Sequence, residues 1–144
     1  MEKFVPAYKL EAPKLLKLLM FNYLFSNGDA HFKNFSLLET PLGDYRLSPA
    51  YDLLNSRIHI RDNDFALDDG LLPKNLAQGK IRHQFAVLAE QAGINGKIGQ
   101  AIAETMLSGA ETVEQLTLAS FLDETTQRNY LQAYQARLKQ FMKD

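Results

Sequence analysis

Cysteine is absent from the 144 residues. No disulfide can staple the chain and no thiolate can hold a metal, and the absence favours a cytoplasmic home. Histidine is scarce. His59 and His83 have no ligand-like partners at short spacing, so a zinc site built around His31 is not expected. Charge of one sign is lacking as well: 16 Lys and Arg face 17 Asp and Glu, a net charge of −1. That balance excludes a uniformly basic nucleic-acid binder and leaves only a local patch open. Long apolar runs are missing too. The most apolar stretch, Leu15 to Phe25, contains Lys17 and Asn22 and is too short and too polar to cross a bilayer. The start, MEKFVPAYKLEAPK, lacks the charged-then-apolar order of a secretory signal. There is no internal repeat and no low-complexity tract.

What is present reads as one ordinary globular domain, α+β and predominantly α. From Pro13, PKLLKLLMFNYLFS is apolar around most of a helix circumference, which predicts a central, buried helix with proline in its first turn. Asn27-Gly28 is expected to stop it. FSLLE and DYRLSPAYDLL flank TPLGD and predict a β-hairpin with a loop of five residues or more. SRIHIRDNDFALDDG suggests further short strands with turns at Asn63-Asp64 and Asp69-Gly70. Its acids, Asp62, Asp64, Asp68 and Asp69, lack the terminal Glu of a calcium loop and read as solvated. Beyond Leu72 a helical bundle follows. One helix carries Ile81, Phe85, Leu88 and Ala89 and ends at Gly93. A second stops at Gly109, and a short third spans AETVEQLTLASF. The last is capped by Asp123, with Tyr130, Tyr134, Leu138 and Phe141 as its stripe. Arg128, Arg137, Lys139 and Lys143 read as a solvated face of that helix.

The segment SNGDAHFKNF, residues 26 to 35, follows the apolar helix with an acid, an imidazole, an ammonium and amides in quick succession. Taken singly, each has a bland reading. Asp29 can shape a turn, His31 can brace a loop, Lys33 can be a solvated charge, and Tyr51 can belong to the core. Together with Asp52 at the end of the hairpin the pattern changes meaning. Asn34 and Asp52 offer hard oxygens to a Mg²⁺–nucleotide, while Asp29, free of metal, can accept a hydroxyl proton. Protein kinases divide the labour in this way. The three side chains are expected to converge.

NGDAHFKNFSLL and YRLSPAYDLL resemble the signature of the HipA-like kinases, the serine/threonine kinase toxins of bacterial toxin–antitoxin pairs. The catalytic loop of that family reads roughly N-x-D-x-H-x-K-N, and a P-x-Y-D stretch supplies its second metal ligand. RHQFAVLAEQAGI and SFLDE further on are similar to the helical end of the family. The resemblance implies a kinase-like carboxy-terminal lobe, with Asp29 as the catalytic base and Asn34 and Asp52 as Mg²⁺ ligands. It implies that His31, Lys33, Asn34 and Tyr51 line the ATP phosphates beside Asp52. It further implies a protein substrate, of which an aminoacyl-tRNA synthetase is the best-known kind, and a helix-turn-helix antitoxin of the HipB type as partner, with DNA reached only indirectly.

The sequence departs from the family in one respect. Neither a glycine-rich phosphate loop nor a lysine for the α- and β-phosphates is present, and residues 1–13 are too few for a nucleotide-binding lobe. The expectation is therefore a carboxy-terminal lobe alone, residues 1–144, which needs an amino-terminal kinase lobe in the same or a separate chain. Phe4, Val5 and Leu10 are expected to form part of an apolar surface facing that lobe. Two other functions remain open. One is a small-molecule phosphotransferase of the aminoglycoside or choline kinase type, which has His where this chain has Asn27. The other is a catalytically silent module that contacts an antitoxin or operator complex.

Overall fold

A computed structural model describes residues 1–56, 72 and 80–143, with the backbone alone at Phe32. The short strands and turns expected between Ser56 and Gly70, and the acidic loop there, lie outside the described residues. Within them the protein is mainly helical, with one two-stranded antiparallel sheet. None of the described helices is long and apolar enough to cross a membrane.

Helix α1, Tyr8–Leu24, is the central element, as its apolar circumference predicts. It packs against strand β2, Tyr45–Leu47, and against helices α2, Ile81–Gln91, α3, Gly96–Ser108, and α5, Glu124–Met142. A short helix α4, Ala110–Leu118, pairs with α5. The helix begins five residues earlier than expected, so Pro13 sits inside it rather than in its first turn. An interior proline forfeits one backbone bond and costs about 3 kcal/mol. Tertiary burial offsets this. Met1 O accepts the Phe4 and Val5 N–H groups at 2.9 and 3.0 Å, a turn that folds Val5 inward. Val5 and Ala12 are then buried on either side of the helix start. Val5 therefore does not belong to the exposed apolar surface expected near the amino terminus, although Phe4 and Leu10 are exposed.

The bundle follows the sequence pattern closely. Helix α2 ends with Gly93 at φ +66°, where the Gly93 and Ile94 N–H groups bond back to Glu90 O and Ala89 O. This is the left-handed cap that glycine favours. Asn95 Oδ1 caps α3 by accepting from Lys97 N at 2.9 Å, and Asp123 caps α5 by accepting from Thr126 N at 3.0 Å. In the core, Tyr23 of α1 meets Phe85 edge-on at 5.9 Å, and Phe85 lies 5.7 Å from Phe141 of α5.

Arg137 corrects the expected solvated face of α5. It is buried, with its guanidinium 4.9 Å from the centre of the Tyr23 ring. One turn before Phe141, the side chain shares the inward face with Tyr134. Its flat, weakly hydrated cation can lie on an aromatic face where a lysine ammonium could not be so readily desolvated.

The hairpin forms as expected. Strand β1, Leu37–Glu39, pairs with β2 in the register Leu37 with Leu47 and Glu39 with Tyr45. The five-residue loop Thr40–Asp44 turns on Gly43 at φ +77°. Glu11 docks this hairpin on α1. Its buried carboxylate accepts from Leu47 N at 3.1 Å and from Lys14 Nζ at 2.5 Å. The Lys14 hydrogen bond, and then the Leu47 amide, hold the Glu11 carboxyl below its ordinary value of 4.5 against the opposing effect of burial.

A carboxylate with a lowered folded pKa contributes stability that is present above the unfolded value and lost as pH falls through the folded value. Glu11→Gln keeps an acceptor for Leu47 and loses the charge. We expect it to lower stability by about 1 kcal/mol at neutral pH. The difference from the parent should vanish as pH drops below about 4.5 and through the folded value. Urea unfolding across that range checks this. A difference that stays constant with pH would show that the charge of Glu11 contributes nothing.

Candidate active site

The site is built where α1 hands the chain to the loop at residues 26–34. The expected stop was Asn27-Gly28, but the turn occurs earlier. Ser26, not Gly28, adopts the left-handed conformation, at φ +54°. Ser26 N bonds Tyr23 O at 3.2 Å and Asn27 N bonds Asn22 O at 2.9 Å, the paired bonds of a helix-terminating left-handed cap. A non-glycine residue there costs about 1 kcal/mol or more. Tertiary structure offsets it: Ser26 is wholly buried, and its carbonyl accepts from Ser56 Oγ at 3.3 Å.

This early turn leaves Asn27 buried rather than at the surface. Its side-chain amide is fully engaged on three sides. Nδ2 donates to Asn22 Oδ1 at 3.2 Å and to the backbone carbonyl of Asp52 at 2.9 Å. Oδ1 accepts from Asp29 N at 3.3 Å. Next to it, Gly28 N donates to Ser56 Oγ at 2.8 Å. The loop after α1 is thus tied at two points to the segment after the hairpin.

A single 3-10 turn, Phe32–Asn34, follows. Asn34 N bonds His31 O at 2.9 Å, and the turn directs the Asn34 side chain inward, where it is buried. The hairpin then reverses the chain and returns Asp52 to it. Asn34 Nδ2 donates to Asp52 Oδ2 across 18 residues of sequence. Asn34 Oδ1 is buried and has no hydrogen-bond partner among the described residues. Asp52 itself is exposed and sits at φ +54°. Aspartate tolerates that conformation better than most residues, and strained backbone of this kind clusters at functional sites. An uncommitted amide oxygen and a carboxylate on adjoining side chains are a pair of hard oxygen donors suited to a hard divalent cation. Among the described residues no three His, Asp or Glu side chains gather as a metal cluster.

The remaining sequence-predicted residues lie around this pair. Asp29 is more than half exposed, and its Oδ1 lies 3.1 Å from His31 Nε2. An imidazole N–H at that distance can orient the carboxylate while leaving it open to an incoming group. Lys33 is exposed on the 3-10 turn. The Tyr51 hydroxyl donates to Lys33 O at 3.1 Å and lies 2.5 Å from Ser36 Oγ, so the phenol braces the turn against the hairpin. The structure therefore joins Asn34 directly to Asp52, and Asp29 reaches Asp52 through Asn27. Ser56 is not singled out from the sequence, and Asn27, which opens the family signature, has no tie to Asp52 read from it. Asn27 carried the signal of a helix stop, and Ser56 carried none, because its bonds are made across 28 and 30 residues.

One relative, the Sinorhizobium fredii protein named "Putative kinase Y4dM", is 33% identical over 88 residues. That match covers 61% of this chain and 21% of the relative, so the chain spans about a fifth of that protein's length. The model of the HipA-like C-terminal domain matches residues 1–116, which include the whole of the site, the first three helices and most of the fourth. On that match, over most of its 144 residues, the chain belongs to the HipA-like C-terminal domain family.

Proposed function

We propose that this chain is the carboxy-terminal, metal- and substrate-binding lobe of an ATP-dependent serine/threonine protein kinase. The observation that carries the reading is the junction of Asn34 and Asp52, with Asn34 Nδ2 on the carboxylate and Asn34 Oδ1 buried and unpartnered among the described residues. Asn34 and Asp52 would hold Mg²⁺. When bound, the ion neutralises charge on the phosphate oxygens of ATP and fixes their orientation. His31, Lys33 and Tyr51 line the phosphates, and the Lys33 ammonium offsets the charge that develops during transfer. Asp29 accepts the proton of the substrate hydroxyl as that oxygen bonds to the γ-phosphorus and ADP departs. His31 keeps the Asp29 carboxylate turned toward the hydroxyl.

The reading requires an amino-terminal kinase lobe to cover the nucleotide. Exposed Leu53 and Leu54, immediately after Asp52, provide apolar surface for such a partner, whereas Phe4 and Leu10 are exposed near the opposite end of α1 from the site loop. The family points to a cytoplasmic toxin–antitoxin system, a helix-turn-helix antitoxin, and a protein substrate of the aminoacyl-tRNA synthetase kind.

Phosphoryl transfer depends almost wholly on positioning and charge stabilisation, so half a site loses most of the rate. Residues 1–144 alone should transfer no detectable phosphate from radiolabelled ATP. Addition of a nucleotide-binding amino-terminal region, in the same chain or in trans, should restore transfer to a protein serine or threonine. Failure of the joined lobes to phosphorylate any protein would favour the silent-module reading. Transfer to an aminoglycoside or choline would favour the small-molecule reading.

A further inference from the structure

We infer that Asn27 is a positioning residue that couples the catalytic base to the metal-binding carboxylate, with Ser56 as a second bridge between the same two segments. The inference rests on the kinase reading above and deepens it.

The geometry is that of one buried amide serving two functional residues at once. Asn27 Oδ1 accepts from the backbone N–H of Asp29, and Asn27 Nδ2 donates to the backbone carbonyl of Asp52. Both bonds go to backbone, so they set where each carboxylate is carried without neutralising either. The bond to Asp52 O falls on a residue in the left-handed conformation at φ +54°, a state an aspartate leaves readily when nothing holds it. Asn22 Oδ1, itself buried in α1, receives the other Nδ2 hydrogen and orients the amide, so a flipped Asn27 would lose all three bonds. The bridge is therefore anchored to the rigid central helix. Ser56 adds the second tie, accepting from Gly28 N and donating to Ser26 O. Loss of the first tie frees Asp52 to turn its carboxylate away from Asn34.

The test uses the 144-residue chain and Mn²⁺ alone, read by paramagnetic broadening of backbone amide resonances. In the parent chain, Mn²⁺ should broaden Asn34 and Asp52 first. Absence of site-specific broadening there would overturn both this inference and the metal site of the kinase reading. Asn27→Leu, of similar volume, should need about tenfold more Mn²⁺ for the same broadening, the usual scale for a residue supporting a metal ligand. Phe85→Leu, a core change that removes none of these hydrogen bonds, should leave the Mn²⁺ response unchanged despite lowering stability. An unchanged Mn²⁺ response in Asn27→Leu, with the parent response intact, would overturn the positioning role and leave the kinase reading standing. So would an equal weakening in Phe85→Leu, since the effect would then be general loosening. If Asn27→Leu does not fold, Ser56→Ala takes its place. It should weaken Mn²⁺ binding in the same direction and speed hydrogen exchange at the Gly28 amide. Parent-like values of both would overturn the proposal.

Discussion

Asp29→Asn, made in this lobe joined to a nucleotide-binding amino-terminal region, is expected to lower phosphoryl transfer by about 10²–10⁴-fold, the contribution of a positioned general base. The substitution changes little else. Asparagine has the same shape, and the backbone N–H of residue 29 still reaches Asn27 Oδ1, so the loop keeps its anchor. The side chain is more than half exposed, so no buried packing is lost. Asn34 and Asp52 are untouched, and metal binding should persist. Turnover measured with radiolabelled ATP should therefore fall while Mn²⁺ broadening at Asn34 and Asp52 stays at the parent level. Transfer that survives Asp29→Asn at parent rates would assign the base elsewhere. A joint loss of transfer and metal binding would make Asp29 a structural member of the metal site instead.

Phe141→Ala should have the largest effect on stability. Phe141 is 0% exposed, near the carboxy-terminal end of α5, and lies 5.7 Å from Phe85 and 6.4 Å from Tyr23. Its removal leaves a cavity among three helices, and deletion of a buried phenyl ring costs about 3–5 kcal/mol. That is a large share of the stability of a domain of this size. A drop in Tm of about 10 °C or more should follow. Helix α5 lies wholly beyond residue 116, where the match to the HipA-like C-terminal domain ends. A merely appended helix would tolerate Phe141→Ala with a loss under about 1 kcal/mol, as for an exposed position. Urea unfolding distinguishes the two outcomes, and the smaller loss would show that α5 does not support the lobe that carries the site.

Two helix ends show how far local rules carry. The end of α2 obeys them: Gly93 takes the left-handed position that its lack of a Cβ makes cheap, and sequence alone locates it. The end of α1 does not. A glycine is available at residue 28, yet Ser26 takes the strained position, where Ser56 Oγ donates to its carbonyl from far along the chain. The same holds for Arg137. A lysine- and arginine-bearing helix surface predicts solvent, but the facing ring of Tyr23 gives this cation a buried place. Helical periodicity reports which positions share a face and is blind to what the opposing helix presents.

By itself the sequence determined the central apolar helix, the hairpin with its five-residue loop, the four later helices and the identity of the polar residues gathered at 27–34 and 51–52. These follow from interactions within one or two turns of chain: apolar spacing, caps, and glycine or proline punctuation. Only the tertiary structure decided that α1 starts at Tyr8 with Pro13 inside it and that Val5 and Arg137 are buried. It alone turned Asn27 from a helix stop into a buried tie between the two halves of the site. The physical reason is common to all of these. Each depends on a partner more than a helical turn away in sequence, supplied when α1 is enclosed by the bundle and the hairpin, and burial then rewards conformations that local propensity disfavours.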